Sequence, residues 1–191
     1  MKPMMDMWLR VRRSAQGLLA DCRGLAATEF ALIVPVMLIL FFGTDEFSSG
    51  IAVNRKVTLM ARTLSDLTSQ NLSVTDAQLT NFFNASAGIM TPYSATPVRS
   101  TITELYVDPA TKVARVQWSK GSAPRTAGTT VGIPTALAVG DTYLIYSEVS
   151  YAFVPTVGYV LKNSITLSDF TFTRPRQSKC VMHSTTVCTT T

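Results

Sequence analysis

At 191 residues the chain has room for one domain and an anchor, but not for a second domain of ordinary size. Hydrophobic residues make up 47% and charged residues only 15%, and the net charge of +5 lies largely at one end, where Lys2, Arg10, Arg12, Arg13 and Arg23 face only Asp6 and Asp21. Without that basic leader, residues 1–24, the chain is close to neutral, so its basicity is no footprint of nucleic-acid binding.

Residues 25–43 are apolar throughout except for Thr28 and Glu29. As a helix they span roughly 28 Å, close to the hydrocarbon thickness of a bilayer. No later stretch compares, because residues 143–154 are interrupted by Ser147, Glu148 and Ser150. The chain is therefore expected to cross a membrane once. Basic residues precede the span while Asp45 and Glu46 follow it, which places the N-terminus in the cytoplasm. A cleaved secretory signal is the competing reading, but residues 43–50 offer no Ala-x-Ala and carry acids where small residues are wanted.

Glu29 is the informative residue of this segment. A carboxylate at the centre of a membrane helix costs on the order of 2.5–3.5 kcal/mol, and less near the interface. One reading lets it snorkel to the headgroups. Another supplies a cation: cleavage between Gly24 and Leu25 creates an α-amino group that ordinarily titrates near about 7.7–8. That group lies one turn from Glu29, at the i to i+4 spacing of a single helix face. The cation can equally belong to a neighbouring subunit. Pro35 lacks a backbone N–H and predicts a kink in mid-span, which membrane helices tolerate.

The run Arg23-Gly24-Leu25-Ala26-Ala27-Thr28-Glu29-Phe30, followed at once by apolar residues, resembles the processing site of type IV prepilins. More narrowly, it resembles that of the TadE-like minor pseudopilins of tight-adherence (Flp-type) pilus systems. In that family a glycine precedes the scissile bond, the fifth residue after it is Glu, an aromatic follows, and the helix reads much like residues 30–38 here. The likeness covers roughly residues 20–60. Beyond them, Arg174-Pro175-Arg176 matches a tripeptide that TadE-like proteins often show near the C-terminus. The resemblance implies a minor pseudopilin cut after Gly24 by a membrane-embedded prepilin peptidase, with Glu29 and Phe30 serving helix pairing and assembly. N-methylation of Leu25 is left open. It implies as partners the peptidase, other pilins and pseudopilins, the pilus assembly platform and membrane lipid. It places the chain in the bacterial inner membrane with a periplasmic C-terminal domain, or in an extracellular pilus used for adhesion. An uncleaved bitopic protein with an extracytoplasmic binding domain is the alternative.

Past the span, residues 44–70 are expected to continue the helix, with Val53, Val57, Met60, Leu64 and Leu67 forming one apolar stripe. Residues 73–76 offer N-caps for a second helix over 77–87 bearing Leu79, Phe82 and Phe83. The period then changes to two. Strands over 101–107 and 112–118 flank the turn Asp108-Pro109-Ala110-Thr111. Residues 121–140, rich in Gly, Thr, Ala and Pro, predict a long exposed loop. A clear strand follows, lined on one face by Tyr143, Ile145, Val149, Tyr151 and Phe153, with Ser147 the exception. In the last strand, 165–172, the apolar face swaps between Leu167 and Phe170, which predicts a bulge near Asp169. A helix first and antiparallel strands later make residues 71–191 an α+β domain. The order suits the pilin-like architecture of a long hydrophobic helix continuing onto a small sheet.

Cys22 leaves with the leader, and in an oxidising compartment Cys180 and Cys188 can close a small disulfide loop. Such a loop contributes ~2–3 kcal/mol; two free thiols in a loose tail are the other reading. His183, the lone histidine, lies between those cysteines at a spacing that fits no common zinc pattern. No nucleophile elbow surrounds a serine and no Gly-rich phosphate loop follows a strand. No enzymatic activity, cofactor or metal is expected, and Trp118, Tyr143, Tyr146 and Tyr151 read as sheet packing.

Overall fold

The computed structural model describes Gly17, residues 23–155 and 163–184, Thr186 and Cys188. Apart from Gly17, Arg23 and Gly24, the leader expected over 1–24 lies outside the described residues. The chain divides into two compact units at Asp45/Glu46. The first helix, α1 (Arg23–Ser69), supplies residues to both and runs through Pro35 without a break.

In the second unit the expected stripe holds: Val53, Val57, Met60 and Leu64 are fully buried, and Leu67 is half-buried. Ala61, Ser65 and Thr68 complete the buried face with side chains small enough to bring the helix close to what it covers. The last carbonyls of α1 would be orphans. The Gln70 N–H donates to the Asp66 carbonyl, Asn71 Nδ2 to that of Leu67, the Asn71 N–H to that of Thr68, and the Arg176 N–H to that of Ser69, at 3.2, 2.6, 3.2 and 2.9 Å.

After the two-residue strand β1 (Ser73–Val74) comes α2 (Asp76–Ala87). Thr75 is its N-cap, and a capping box closes the end: the Gln78 N–H donates to Thr75 Oγ1 at 3.3 Å, and the Thr75 N–H donates to Gln78 Oε1 at 2.9 Å. Leu79 is buried beneath α1, while Phe82 and Phe83 pack at the edge of the same core.

The remaining strands are β2 (Val98–Val107), β3 (Ala114–Gly121), β4 (Thr130–Val131), β5 (Thr142–Phe153) and β6 (Ile165–Thr173). They form one antiparallel sheet in the order β4-β3-β2-β5-β6, and β7 (Met182–His183) pairs in parallel with β1. The expected hairpin is present, with the Asp108 carboxylate accepting from the N–H groups of Ala110 and Thr111 at 2.8 and 2.9 Å. Gly121 ends β3 at φ 137°, where a Cβ would stand 2.2 Å from the Ser100 carbonyl oxygen, so glycine is required.

Two expectations are corrected. Residues 121–140 are not a bare exposed loop, because β4 and a 3-10 turn (Thr135–Leu137) interrupt them. Val131, Ile133 and Leu137 lie over Leu105, Val107, Val116, Leu144 and Tyr146 on the sheet face turned away from α1. A sheet that is apolar on both faces needs a second cover, and this segment provides it. Nor is there a bulge at Asp169, since β5 and β6 pair in one register from Ile145↔Thr173 to Phe153↔Ile165. Leu167 packs on the α1 side while Phe170 and Phe172 meet Tyr146 on the other, so plain alternation serves two apolar faces. The irregularity lies instead between β2 and β3 at Glu104/Leu105. Gln117 is the extra residue there, which lets Trp118 face α1 while Val116 faces away.

Candidate functional site

The expected processing site lies in the first turn of α1. Arg23 opens the helix, Gly24 follows as an exposed residue with no atom within 4 Å of where a Cβ would be, and Leu25 continues the helical backbone. Glycine is a poor helix former, so Gly24 lowers the helix propensity beside the Gly24–Leu25 bond. Glu29 is exposed one turn on, and Phe30 beside it is 70% exposed. Leu32, Ile33, Met37, Ile39, Leu40 and Phe41 are likewise uncovered, where a soluble protein would bury them. Mean hydropathy over this stretch reaches 2.1 with none of it buried, and α1 is the one helix among the described residues long and apolar enough to cross a membrane. Near its far end Thr44 turns its hydroxyl onto the Leu40 carbonyl at 2.7 Å, which satisfies the polar group within the helix.

Residues 24–64 match the family model described as TadE-like protein. This segment is TadE-like. No curated protein and no solved structure matches the chain. The TadE-like segment takes in Gly24, Leu25, Glu29, Phe30 and Pro35, then runs along the buried stripe as far as Leu64. A TadE-like family implies involvement in tight-adherence pilus systems. A single apolar N-terminal helix is compatible with a single-pass membrane protein of such a system.

The two cysteines named from sequence form the disulfide Cys180–Cys188, with Cα atoms 5.9 Å apart. The segment around them is held by more than this bond. Arg176 pairs with Asp66 in the last turn of α1, and Lys179 pairs with Asp141 at 2.7 Å. The Val181 carbonyl accepts from Trp118 Nε1 at 2.8 Å, and β7 joins β1. The His183 ring lies tilted against Trp118, with centroids 5.2 Å apart, and meets Asp76 at 2.9 Å. Hydrogen bonds from His183 and Lys120 hold the exposed Asp76 carboxyl below its usual range. Arg174-Pro175-Arg176, noticed only as a tripeptide, thus leads the chain across the end of α1.

Sequence reasoning missed Glu104. It is 2% exposed, and burial pushes its carboxyl up to about 8 although the Val181 N–H, 2.6 Å away, and Trp118 favour the charged form. The core of the second unit thus holds a buried acid of its own. A signal was available: Glu104 shares strand parity with Ile102 and Tyr106, both buried.

Proposed function

We propose that the chain is a minor pseudopilin, processed by a prepilin peptidase after Gly24, that takes part in assembling a tight-adherence (Flp-type) pilus. The observation that carries this reading is an exposed acid on an uncovered apolar helix, set one turn after a glycine-preceded bond within a TadE-like segment. The first turn of α1 opens, and the peptidase cuts between Gly24 and Leu25. The leader leaves with Lys2, Arg10, Arg12, Arg13 and Arg23. The new ammonium at Leu25 meets Glu29 of the same helix or of a neighbour, so two charges leave water together. The helix then exchanges lipid contacts for contacts with other apolar helices. In this scheme residues 1–24 are the leader, 25–43 the span and 44–70 its continuation. Residues 71–191 form an α+β domain on the periplasmic side of the inner membrane.

Co-expression with and without a prepilin peptidase, followed by mass spectrometry of the N-terminus, tests the scheme. A peptidase-dependent end at Leu25 is expected. An intact Met1 in both cells means an uncleaved bitopic protein, and an end beyond Phe42 means secretion. Glu29→Gln is expected to be cut normally but to be recovered less with partner pilins; undiminished recovery sinks the charge-pairing step.

A further inference from the structure

The sheet face turned away from α1 changes character along its length. Val131, Ile133 and Leu137 cover its apolar half. The other half is polar and carries two cross-strand rows. Arg99, Ser150 and Ser168 stand opposite one another on β2, β5 and β6, and Thr101, Glu148 and Phe170 form the next row toward the apolar half. Strand parity puts both rows on this one face.

A wall rises beside them at Gly121, whose φ of 137° turns the chain off the end of β3 and over β2. The Ser122 N–H donates to the Ser100 carbonyl at 2.8 Å, the Ser100 N–H to Ser122 Oγ at 3.3 Å, and the Ala123 N–H to Thr101 Oγ1 at 3.1 Å. Arg125 then reaches β5, its Nε and Nη2 donating to the two oxygens of Glu148 at 3.0 and 2.6 Å while its guanidinium lies 5.5 Å from the centre of the Tyr146 ring. Between this wall and Phe170, which is 58% exposed, lies a groove of about 430 Å³, within the size range of small-molecule sites.

Charge selects the occupant. Both oxygens of Glu148 are taken by Arg125, and Oε1 also accepts from the Tyr146 hydroxyl at 2.9 Å, so this pair adds no net charge. Asp169, of the other parity, turns toward Thr58 on α1. Arg99 is exposed and has no ion pair among the described residues, which leaves the groove one uncompensated cation. Its planar fork matches a carboxylate. Beside it Ser150 and Ser168 form a cross-strand pair of hydroxyls, each able to donate and accept. A bare anion would leave these hydroxyls and the open Phe170 ring idle, whereas a sugar acid uses all of them.

We propose that this groove binds an acidic saccharide of the hexuronic acid class, with its carboxylate on Arg99, its hydroxyls on Ser150 and Ser168, and the apolar side of its ring on Phe170. The inference depends neither on processing after Gly24 nor on a bilayer span.

The test uses the full chain in phosphatidylcholine nanodiscs, which carry neither sugar nor net charge, with tetragalacturonate as the probe. Saturation-transfer NMR titrations compare it with maltotetraose, which lacks the carboxylates, and with tetraglutamate and acetate, which lack the hydroxyls. Tetragalacturonate is expected to bind about tenfold more tightly than each of these, the value of one hydrogen bond to a charged group. Arg99→Gln is expected to abolish that margin and Arg99→Lys, which keeps the charge without the fork, to restore part of it. Arg55→Gln, on α1, should leave it unchanged. No binding at millimolar probe overturns the inference. Equal binding of maltotetraose does so by removing the charge selection, and equal binding of tetraglutamate or acetate by removing the saccharide. A margin that survives Arg99→Gln, in a chain whose near-ultraviolet circular dichroism is unaltered, also overturns it. Should Arg99→Gln fail to fold, Ser168→Ala decides at an exposed hydroxyl: weaker binding of tetragalacturonate is expected, and undiminished binding refutes the site.

Discussion

The two stretches of α1 on either side of Asp45/Glu46 are the same helix with opposite surroundings. From Phe30 to Phe41 large side chains are uncovered all round, whereas from Val53 to Leu64 one stripe is fully buried and the other faces are polar. The backbone rules are shared, so the difference lies in the pattern. An apolar surface without a period seeks a solvent, and an apolar surface at spacings of three and four seeks a partner. A substitution should therefore be costly in one stretch and silent in the other.

Leu64→Ala, in the buried stripe, is expected to lower the stability of the second unit by about 2–5 kcal/mol, because it opens a cavity in a core that cannot fully collapse. Leu38→Ala, on the uncovered stretch, should leave that stability unchanged. Chemical unfolding of the full chain in detergent micelles, followed by near-ultraviolet circular dichroism, reads both. Equal losses would end the distinction between the stretches.

Glu104 sharpens it from the other side, as a charge confined to the second core. Its folded pKa, about 8, lies above the usual 4.5, so the folded state keeps a proton that the unfolded chain releases. The stability this confers is full below about 4.5 and is lost as pH rises through about 8. Glu104→Gln, which keeps the oxygen that accepts from Val181, is expected to flatten that dependence. At pH 7 it should be more stable than the parent by about 2–3 kcal/mol, a discounted share of 1.36 kcal/mol per pKa unit. Parallel stability curves for the two proteins between pH 4.5 and 8 would refute this.

The smallest effect belongs to Arg176. Its guanidinium pairs with Asp66 at the C-terminal end of α1, in water and more than half exposed. Exposed ion pairs and helix-end charges are each worth less than about 1 kcal/mol. Arg176→Ala should cost no more than that, and the cost should shrink in high salt. A larger, salt-independent loss would mean that the side chain acts by packing.

These residues also mark what can be read from a sequence. The stripe from Val53 to Leu64 and the motif from Gly24 to Phe30 were legible because their meaning lies in spacings of a few residues. The start of the second helix near residues 73–76 was legible for the same reason, while the structure selects Thr75 as the cap and adds Gln78 to it. Glu104 was not, because parity assigns it a face but what covers that face is Val181, far along the chain. Val131, Ile133 and Leu137 follow no period, and only the two-sided sheet gives them a task. A swap of apolar face at Asp169 predicts a bulge only in a sheet with one apolar face. With both faces apolar, Leu167 and Phe170 need none, and the real irregularity at Gln117 leaves no trace in composition.

Residues 176–183 brace the end of α1, accept from Trp118, donate to Glu104 and add the strand beside β1. Synthesis proceeds from the N-terminus, so residues 176–183 are made after the helices and strands they join. The folded-state partners of Trp118 and Glu104 therefore come from a later segment than either residue. The domain locks only when residues 176–183 fold back across α1 and the sheet.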